Sequence, residues 1–233
     1  ITCKSICKLI LQDKISFGFL IKFDIDKKEL FCLMINEQIE IKDIIIRQEK
    51  LHFYYNNGTE QREIELNPKE RIIKYLRDID INEIIIQILP KDNIQIEYFL
   101  LPNVNYINNN INELVNKEIR ILRYASGHLS GKIINIQKNH KFSFITNNLL
   151  SQPGNPIMLK NSPKIIGIYG GFSNSENFGF FIESIVNYLK NLDNKKSELE
   201  MLDDNNPNNR IPPIVNKLLN FPTYYNYEYE DNE

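Results

Sequence analysis

Tryptophan is absent from the 233 residues, cysteine occurs three times and glycine nine times. Cys3, Cys7 and Cys32 do not form the even-numbered framework that staples small secreted domains. Cys3 and Cys7 are close enough to pair or to share a metal, but no second Cys or His pair stands at ligand spacing. Free, apolar-packed thiols and a reducing compartment are expected. The only histidines, His52, His128 and His140, are too scattered for a zinc site. Asp24 and Asp26 lack the Gly and the terminal Glu of a calcium loop, and no glycine-rich phosphate loop is present. Neither a metal nor a cofactor is therefore expected. No apolar run approaches the ~20 residues that cross a bilayer, and no charged segment followed by an apolar core and a small-residue cleavage site opens the sequence. A formal net charge of −2 supplies no attraction to nucleic acid or to an anionic membrane. Neither is expected as a partner, and oligomeric state is not legible.

What the sequence does contain is short apolar segments between turns. Hydrophobic residues make up 42% and charged residues 25%, enough apolar surface for one large domain or two packed halves. Ser5–Leu11, Ser16–Phe23, Asp43–Ile46, Leu51–Tyr55 and Gln61–Leu66 read as strands, with Asn57-Gly58 a hairpin turn. Glu29–Ile35 is a continuous apolar run, expected as a strand buried on both faces. Asn67-Pro68-Lys69-Glu70 carries a helix start, with Asn67 as cap, Pro68 at the first helical position and Glu70 completing a capping box. A short helix is expected there, with Ile72, Ile73 and Leu76 inward and Lys69, Arg71 and Lys74 outward. Glu83–Leu89 returns to strand.

Residues 91–116 are polar and Asn-rich, a crossing between two halves. Strands resume at Glu118–Tyr124, Lys132–Ile136, Phe142–Ile145, Pro156–Leu159 and Lys164–Tyr169. Phe181, Ile182, Ile185, Val186 and Leu189 recur at helical spacing, predicting a closing helix over 181–192. Many short strands at regular spacing indicate an all-β sandwich or barrel. Residues 193–233 read as a disordered acidic, Asn-rich tail: 193–210 has almost nothing to bury, and 211–233 mixes apolar residues with a Tyr/Glu run that could instead be an interaction motif.

Several segments, taken in order, resemble the trypsin-like (chymotrypsin-fold) serine peptidases. Phe17-Gly18-Phe19-Leu20-Ile21 is similar to the family's early G-(S/T)-G-F-(L/V)-I strand. Phe31–Ile39 resembles the segment in which the catalytic His follows a buried strand, and Asp80–Ile88 the one that supplies the Asp. Ser151-Gln152-Pro153-Gly154-Asn155-Pro156 resembles G-x-S-G-(G/S)-P, the nucleophile loop. Lys164–Gly171 resembles the substrate-lining strand that follows, and Asn177–Phe181 the strand entering the final helix. The resemblance also makes Ser126–Gly131 a polar turn between two strands of the second half. The resemblance implies a mainly β fold of two antiparallel six-stranded barrels with a C-terminal helix, over residues 1–192. The first barrel would span 1–90, the crossing 91–116, the second barrel 117–181 and the helix 181–192.

The same resemblance locates the triad, and each position departs from it. Gln38 stands in place of His and cannot act as a general base near neutral pH. Asn82 stands in place of Asp and lacks the charge that stabilises an imidazolium, although a slip of two residues would put Asp80 there. Pro153 stands in place of Ser, offers no nucleophile and has no backbone N–H for an oxyanion hole. Ser151 replaces the glycine whose N–H is the other oxyanion donor, whereas Gly154 is retained. The expectation is a catalytically inactive homologue that binds a protein or an extended peptide segment. Its candidate groove is Ile168, Tyr169, Gly170 and Gly171, where active relatives pair with the substrate backbone. The alternative is an active serine-type endopeptidase or other hydrolase with a relocated nucleophile, Ser151 or Ser126 with His128.

Overall fold

The computed structural model describes residues 3–11, 14–36, 45, 47, 50–79, 81–103, 111–125, 127–137, 140–146, 153–173 and 175–199. The chain divides into two compact units, Ile1–Asn194 and Lys195–Glu233; the fold below is that of the first. Of the expected tail 193–233, everything beyond Leu199 lies outside the described residues.

Thirteen strands and one long helix carry the described part. The first seven are β1 (Ile6–Leu11), β2 (Lys14–Ile25), β3 (Lys28–Asn36), β4 (Lys50–Tyr55), β5 (Glu60–Glu65), β6 (Ile73–Tyr75) and β7 (Glu83–Gln87). They form one antiparallel sheet in the order β5-β4-β1-β2-β3-β7-β6. The next six are β8 (Glu118–Arg123), β9 (Gly127–Ile136), β10 (Lys141–Thr146), β11 (Pro156–Leu159), β12 (Ile165–Ser173) and β13 (Glu176–Phe181). These close on themselves as a barrel, β10-β13-β12-β11-β8-β9. The two-part, mainly β architecture expected above is the one observed. The first half, however, is a seven-stranded sheet rather than a closed six-stranded barrel among the described residues.

Alternation explains most strands. β4 and β5 face one side inward through Leu51, Phe53, Tyr55 and Ile64, and Asn56–Gly58 makes the turn between them. β3 lies between β2 and β7, with Cys32 to Ile35 all buried, which accounts for its unbroken apolar run. Cys7 and Cys32 are buried free thiols, and burial pushes both well up from the ordinary thiol range.

Three apolar clusters hold the unit together. One fills the first half around Leu20, Leu33, Phe53 and Ile86, and another fills the barrel around Phe142, Phe144, Ile157 and Tyr169. The third joins the halves, packing Phe19, Ile21 and Met34 with Met158, Ile165 and Ile168. The helix α1 (Ile182–Leu199) lays Ile182, Ile185, Val186 and Leu189 on this joint cluster. The apolar stripe is the one expected except for Phe181, which ends β13 and packs in the barrel cluster, and the helix extends past the predicted 192. The crossing is stitched to both halves through its backbone. Leu100 N–H donates to Leu20 O and Lys22 N–H to Leu100 O, at 3.0 and 2.9 Å. Ile165 N–H then donates to Leu101 O and Asn103 N–H to Ile165 O, at 2.9 and 2.7 Å.

Three expectations are corrected here. The short helix from Asn67 is instead a turn, followed by β6 and a 3₁₀ turn at Leu76–Ile79. Its cap chemistry survives, since Asn67 Oδ1 accepts Lys69 N–H at 3.0 Å and Asn67 Nδ2 donates to Glu70 Oε1 at 3.2 Å. Helix does not propagate because Gln87 N–H donates to Ile72 O at 2.8 Å and β6 pairs with β7. Arg71, expected outward, is buried and paired with Asp92, its Nη1 2.9 Å from Oδ2. Gly127–Gly131, expected as turn, belongs to β9, with His128 opposite Leu122. The reversal falls earlier, where Ala125 at φ 53 and Gly127 at φ 78 take the left-handed region. Of the expected strand Asp43–Ile46 only the buried Ile45 is described.

Candidate functional site

The loop before β11 lies where the two halves meet. Pro153 is exposed, and Gly154 is buried in the left-handed region at φ 95, which a residue with a side chain adopts only with strain. The space there is tight as well. A Cβ on Gly154 would lie 3.2 Å from Glu83 Oε1 at the start of β7 and 3.4 Å from Asn36 Cβ at the end of β3. Asn36 and Glu83 are cross-strand neighbours, and Asn36 Nδ2 donates to both Glu83 Oε1 and Asn82 O at 3.2 Å. The junction thus brings together the ends of β3 and β7 from the first half and the Pro153 loop from the second.

β12 completes it. Gly154 N–H donates to Tyr169 O and Tyr169 N–H donates to Asn155 O, both at 2.8 Å. Tyr169 is buried in the barrel and its hydroxyl donates to Asn177 Oδ1 at 3.1 Å. Burial pushes the Tyr169 phenol up to about 12. The neutral phenol is the form the fold accepts, so stability is unaffected below the ordinary tyrosine pKa near 10. It falls as pH rises from there toward 12, because the unfolded chain ionises first. Phenolate absorbance titration of the protein and of Tyr169→Phe is expected to differ by one group titrating near 12.

Of the triad positions read from the sequence, Asn82 and Pro153 are described and Gln38 is not; Ser151, Asp80 and Ser126 also lie outside the described residues. Asn82 is exposed at the mouth of β7. Pro153 has no hydroxyl and no N–H, and the N–H next to it, on Gly154, is taken by Tyr169 O. Among the groove candidates, Ile168 packs in the joint cluster and Tyr169 in the barrel, so neither side chain faces a groove. Gly170 and Gly171 are different. β11 pairs with β12 only as far as Ile168, and the Pro153 loop takes Tyr169. Beyond it, Gly171–Ser173 pair with β13 on one side and with no strand on the other among the described residues. The histidines lie elsewhere: His52 is exposed in β4, 3.2 Å from Glu63 Oε2, and His140 is an exposed turn residue at φ 58.

Sequence reasoning missed Glu83, the buried carboxylate of this junction. One signal was available. Glu83 opens the apolar run Glu83-Ile-Ile-Ile directly after Asn82, where a charge inside a buried strand requires a tertiary reason. Among the described residues no three His, Cys, Asp or Glu side chains stand together as metal ligands, and no helix is long and apolar enough to cross a membrane.

A closed β-barrel and a second antiparallel sheet packed through a shared core, with one C-terminal helix, define a chymotrypsin-like double-barrel fold. Comparison with solved structures agrees. The chain is similar to the serine endoprotease from Yersinia pestis, at 12% identity over 83% of this chain and 64% of that one, with a TM-score of 0.53. Lower scores, each 0.47, relate it to the catalytically inactive tobacco etch virus protease complexed with substrate and to the serine protease domain of the Sesbania mosaic virus polyprotein. Those matches have 13% and 14% identity, cover 82% and 81% of this chain, and cover 84% and 93% of theirs. The likeness to the Yersinia pestis enzyme, at 12% identity, bears on fold alone. No family model matches the sequence, and no curated protein matches it.

Proposed function

We propose that this chain is a serine-protease-like double barrel without proteolytic activity that binds an extended segment of a protein or peptide along β12. The observation that carries the proposal is Pro153. It occupies the position of the loop beside Gly171 and Glu83 that the resemblance assigns to the nucleophile, and proline has neither a hydroxyl nor an N–H. The other oxyanion donor that the resemblance implies belongs to a glycine, and Ser151 stands in its place. What the site retains is a strand edge. The Gly171–Ser173 segment has backbone to offer to an added strand, and β-strand addition needs no catalytic group.

The test is exposure of the folded protein to a fluorophosphonate probe with mass analysis of the product. No serine is expected to be labelled above the level of the heat-denatured chain. Stoichiometric labelling of a single serine, lost on His128→Ala, would instead establish a hydrolase with a relocated nucleophile.

A further inference from the structure

Of the nine glycines only Gly58 follows an asparagine, and the pair sits at the tip of the β4–β5 hairpin, where Asn57, Gly58 and Thr59 are all exposed. A glycine amide nitrogen is open to approach, because the residue has no Cβ to shield it. The asparagine before it carries a side-chain carbonyl carbon, Cγ, that can close a five-membered ring onto that nitrogen. The tip therefore holds both reactants of a self-modification, and its conformation decides whether they meet.

That conformation keeps them apart. Asn57 lies in the left-handed region at φ 58 and ψ 27. On an L-residue Cβ stands about 120° from the nitrogen around the Cα–C bond, so this ψ places the Gly58 nitrogen nearly opposite the Asn57 side chain. Ring closure needs the two eclipsed, which the tip reaches only by opening. Several contacts hold it shut. Thr59 N–H and the Thr59 hydroxyl both donate to Asn56 O, at 3.2 and 2.8 Å. Asn56 Nδ2 donates to the Tyr98 hydroxyl at 3.3 Å, which ties the tip to the crossing. From the second half Tyr124 stands over Gly58, where a Cβ would lie 2.7 Å from its hydroxyl, and its ring leans on Phe17 with centroids 5.7 Å apart.

We propose that Asn57 is a modification site, deamidated by its own Gly58 nitrogen whenever the tip loses these contacts. The Gly58 nitrogen gives its proton to solvent base and bonds to Asn57 Cγ; the Cγ–Nδ2 bond breaks and Nδ2 leaves as ammonia. Water then adds to one carbonyl of the resulting cyclic imide and releases the ring nitrogen from it. Cleavage at Cγ gives aspartate, and cleavage at the backbone carbonyl gives isoaspartate, whose main chain runs one methylene longer. An amide and water become a carboxylate and ammonium, with no change of oxidation state. The longer chain moves Gly58 from beneath Tyr124, so isoaspartate records an opening between the two halves covalently. No peptide ligand takes part, so the outcome is independent of the function proposed above.

The full chain, Thr59→Val and Tyr124→Ala are incubated in mildly alkaline buffer with and without unfolding urea. Position 57 is followed by peptide mass mapping that separates isoaspartate from aspartate. Modification at 57 in the folded wild-type chain is expected to be slower than in urea by about tenfold or more, since only opened molecules react. Thr59→Val removes one hydrogen bond at an exposed position and is expected to raise the folded-state rate about two- to tenfold. Tyr124→Ala should raise it as well; Tyr124→Phe, which keeps the ring on Phe17, takes its place if the Ala variant does not fold. Equal wild-type rates with and without urea would show that the tip does not guard Asn57. Unchanged rates in the variants would overturn Thr59 and Tyr124 as what holds it shut, and no modification at 57 in urea would overturn the site itself.

Discussion

Changing Gln38 to His and Pro153 to Ser together is expected to leave hydrolysis of peptide and ester substrates about 10³-fold or more below that of an intact double-barrel protease assayed alongside. The pair restores a hydroxyl, an imidazole and one backbone N–H, but not their surroundings. On the alignment that the resemblance implies, Ser151 remains where glycine is expected, and a residue with a Cβ resists the backbone conformation that glycine accepts. One missing donor of this kind costs on the order of 10²–10³ in rate. Asn82 is exposed and neutral, so it cannot stabilise an imidazolium as a buried carboxylate does. Gly154 N–H is already bonded to Tyr169 O, which ties the restored serine to a loop built for internal pairing. The measurement is turnover of an activated ester with burst titration of the acylated fraction. Near-family turnover would show that Glu83, buried beside Gly154, takes the role of orienting acid. Adding Glu83→Gln would then abolish it.

Asp92→Ala is expected to cost about 3–5 kcal/mol of stability, seen as a large fall in the urea midpoint with an unchanged slope. Arg71 and Asp92 form a two-pronged pair, Nη1 to Oδ2 at 2.9 Å and Nη2 to Oδ1 at 3.1 Å. Both side chains are almost fully buried, at 1% and 5% exposure. The same groups hold the backbone: Arg71 Nη1 donates to Gln87 O at 2.6 Å and Leu89 N–H donates to Asp92 Oδ2 at 2.7 Å. Removing the carboxylate leaves a guanidinium buried without its counter-charge and frees the turn after β7. A single domain is stable by only about 5–15 kcal/mol, so this is a large share. Arg71→Met with Asp92→Leu removes both charges and is expected to be much milder than either single loss. If Asp92→Ala shifted the midpoint no more than a surface substitution does, the pair would not be holding the fold.

Elements whose evidence is local were legible in the residues. β3 announces itself as an unbroken apolar run because a strand covered on both faces has no solvent side to mark. β4 and β5 are visible in their alternation and in Asn57-Gly58, which supplies the left-handed backbone that the turn needs. Helix α1 is visible in the spacing of Ile182, Ile185, Val186 and Leu189, because a stripe at helical period has one way to reach a core. That Pro153 offers neither a hydroxyl nor an N–H was also readable, since no folding returns either to proline.

What was not legible depends on partners distant in sequence. Asn67 to Glu70 carries a sound helix start, yet the backbone that follows pairs with β7, and long-range pairing outweighs a local cap. Arg71 looked solvated because its partner is Asp92, beyond β7. Ser126 to Gly131 was expected as a turn from the resemblance, but pairing with β8 draws Gly127–Gly131 into β9. Gly170 and Phe178 are eight positions apart along a hairpin, and their contact follows from the bulge between Tyr169 and Gly171, which no residue pattern specifies. Sequence by itself determined that this chain is mainly β and closes with a helix, because strand period and helix period are properties of neighbouring residues. Only tertiary structure decided that Glu83 is buried behind the Pro153 loop and that a phenylalanine ring lies over the glycines of β12, because both depend on which strands are brought side by side.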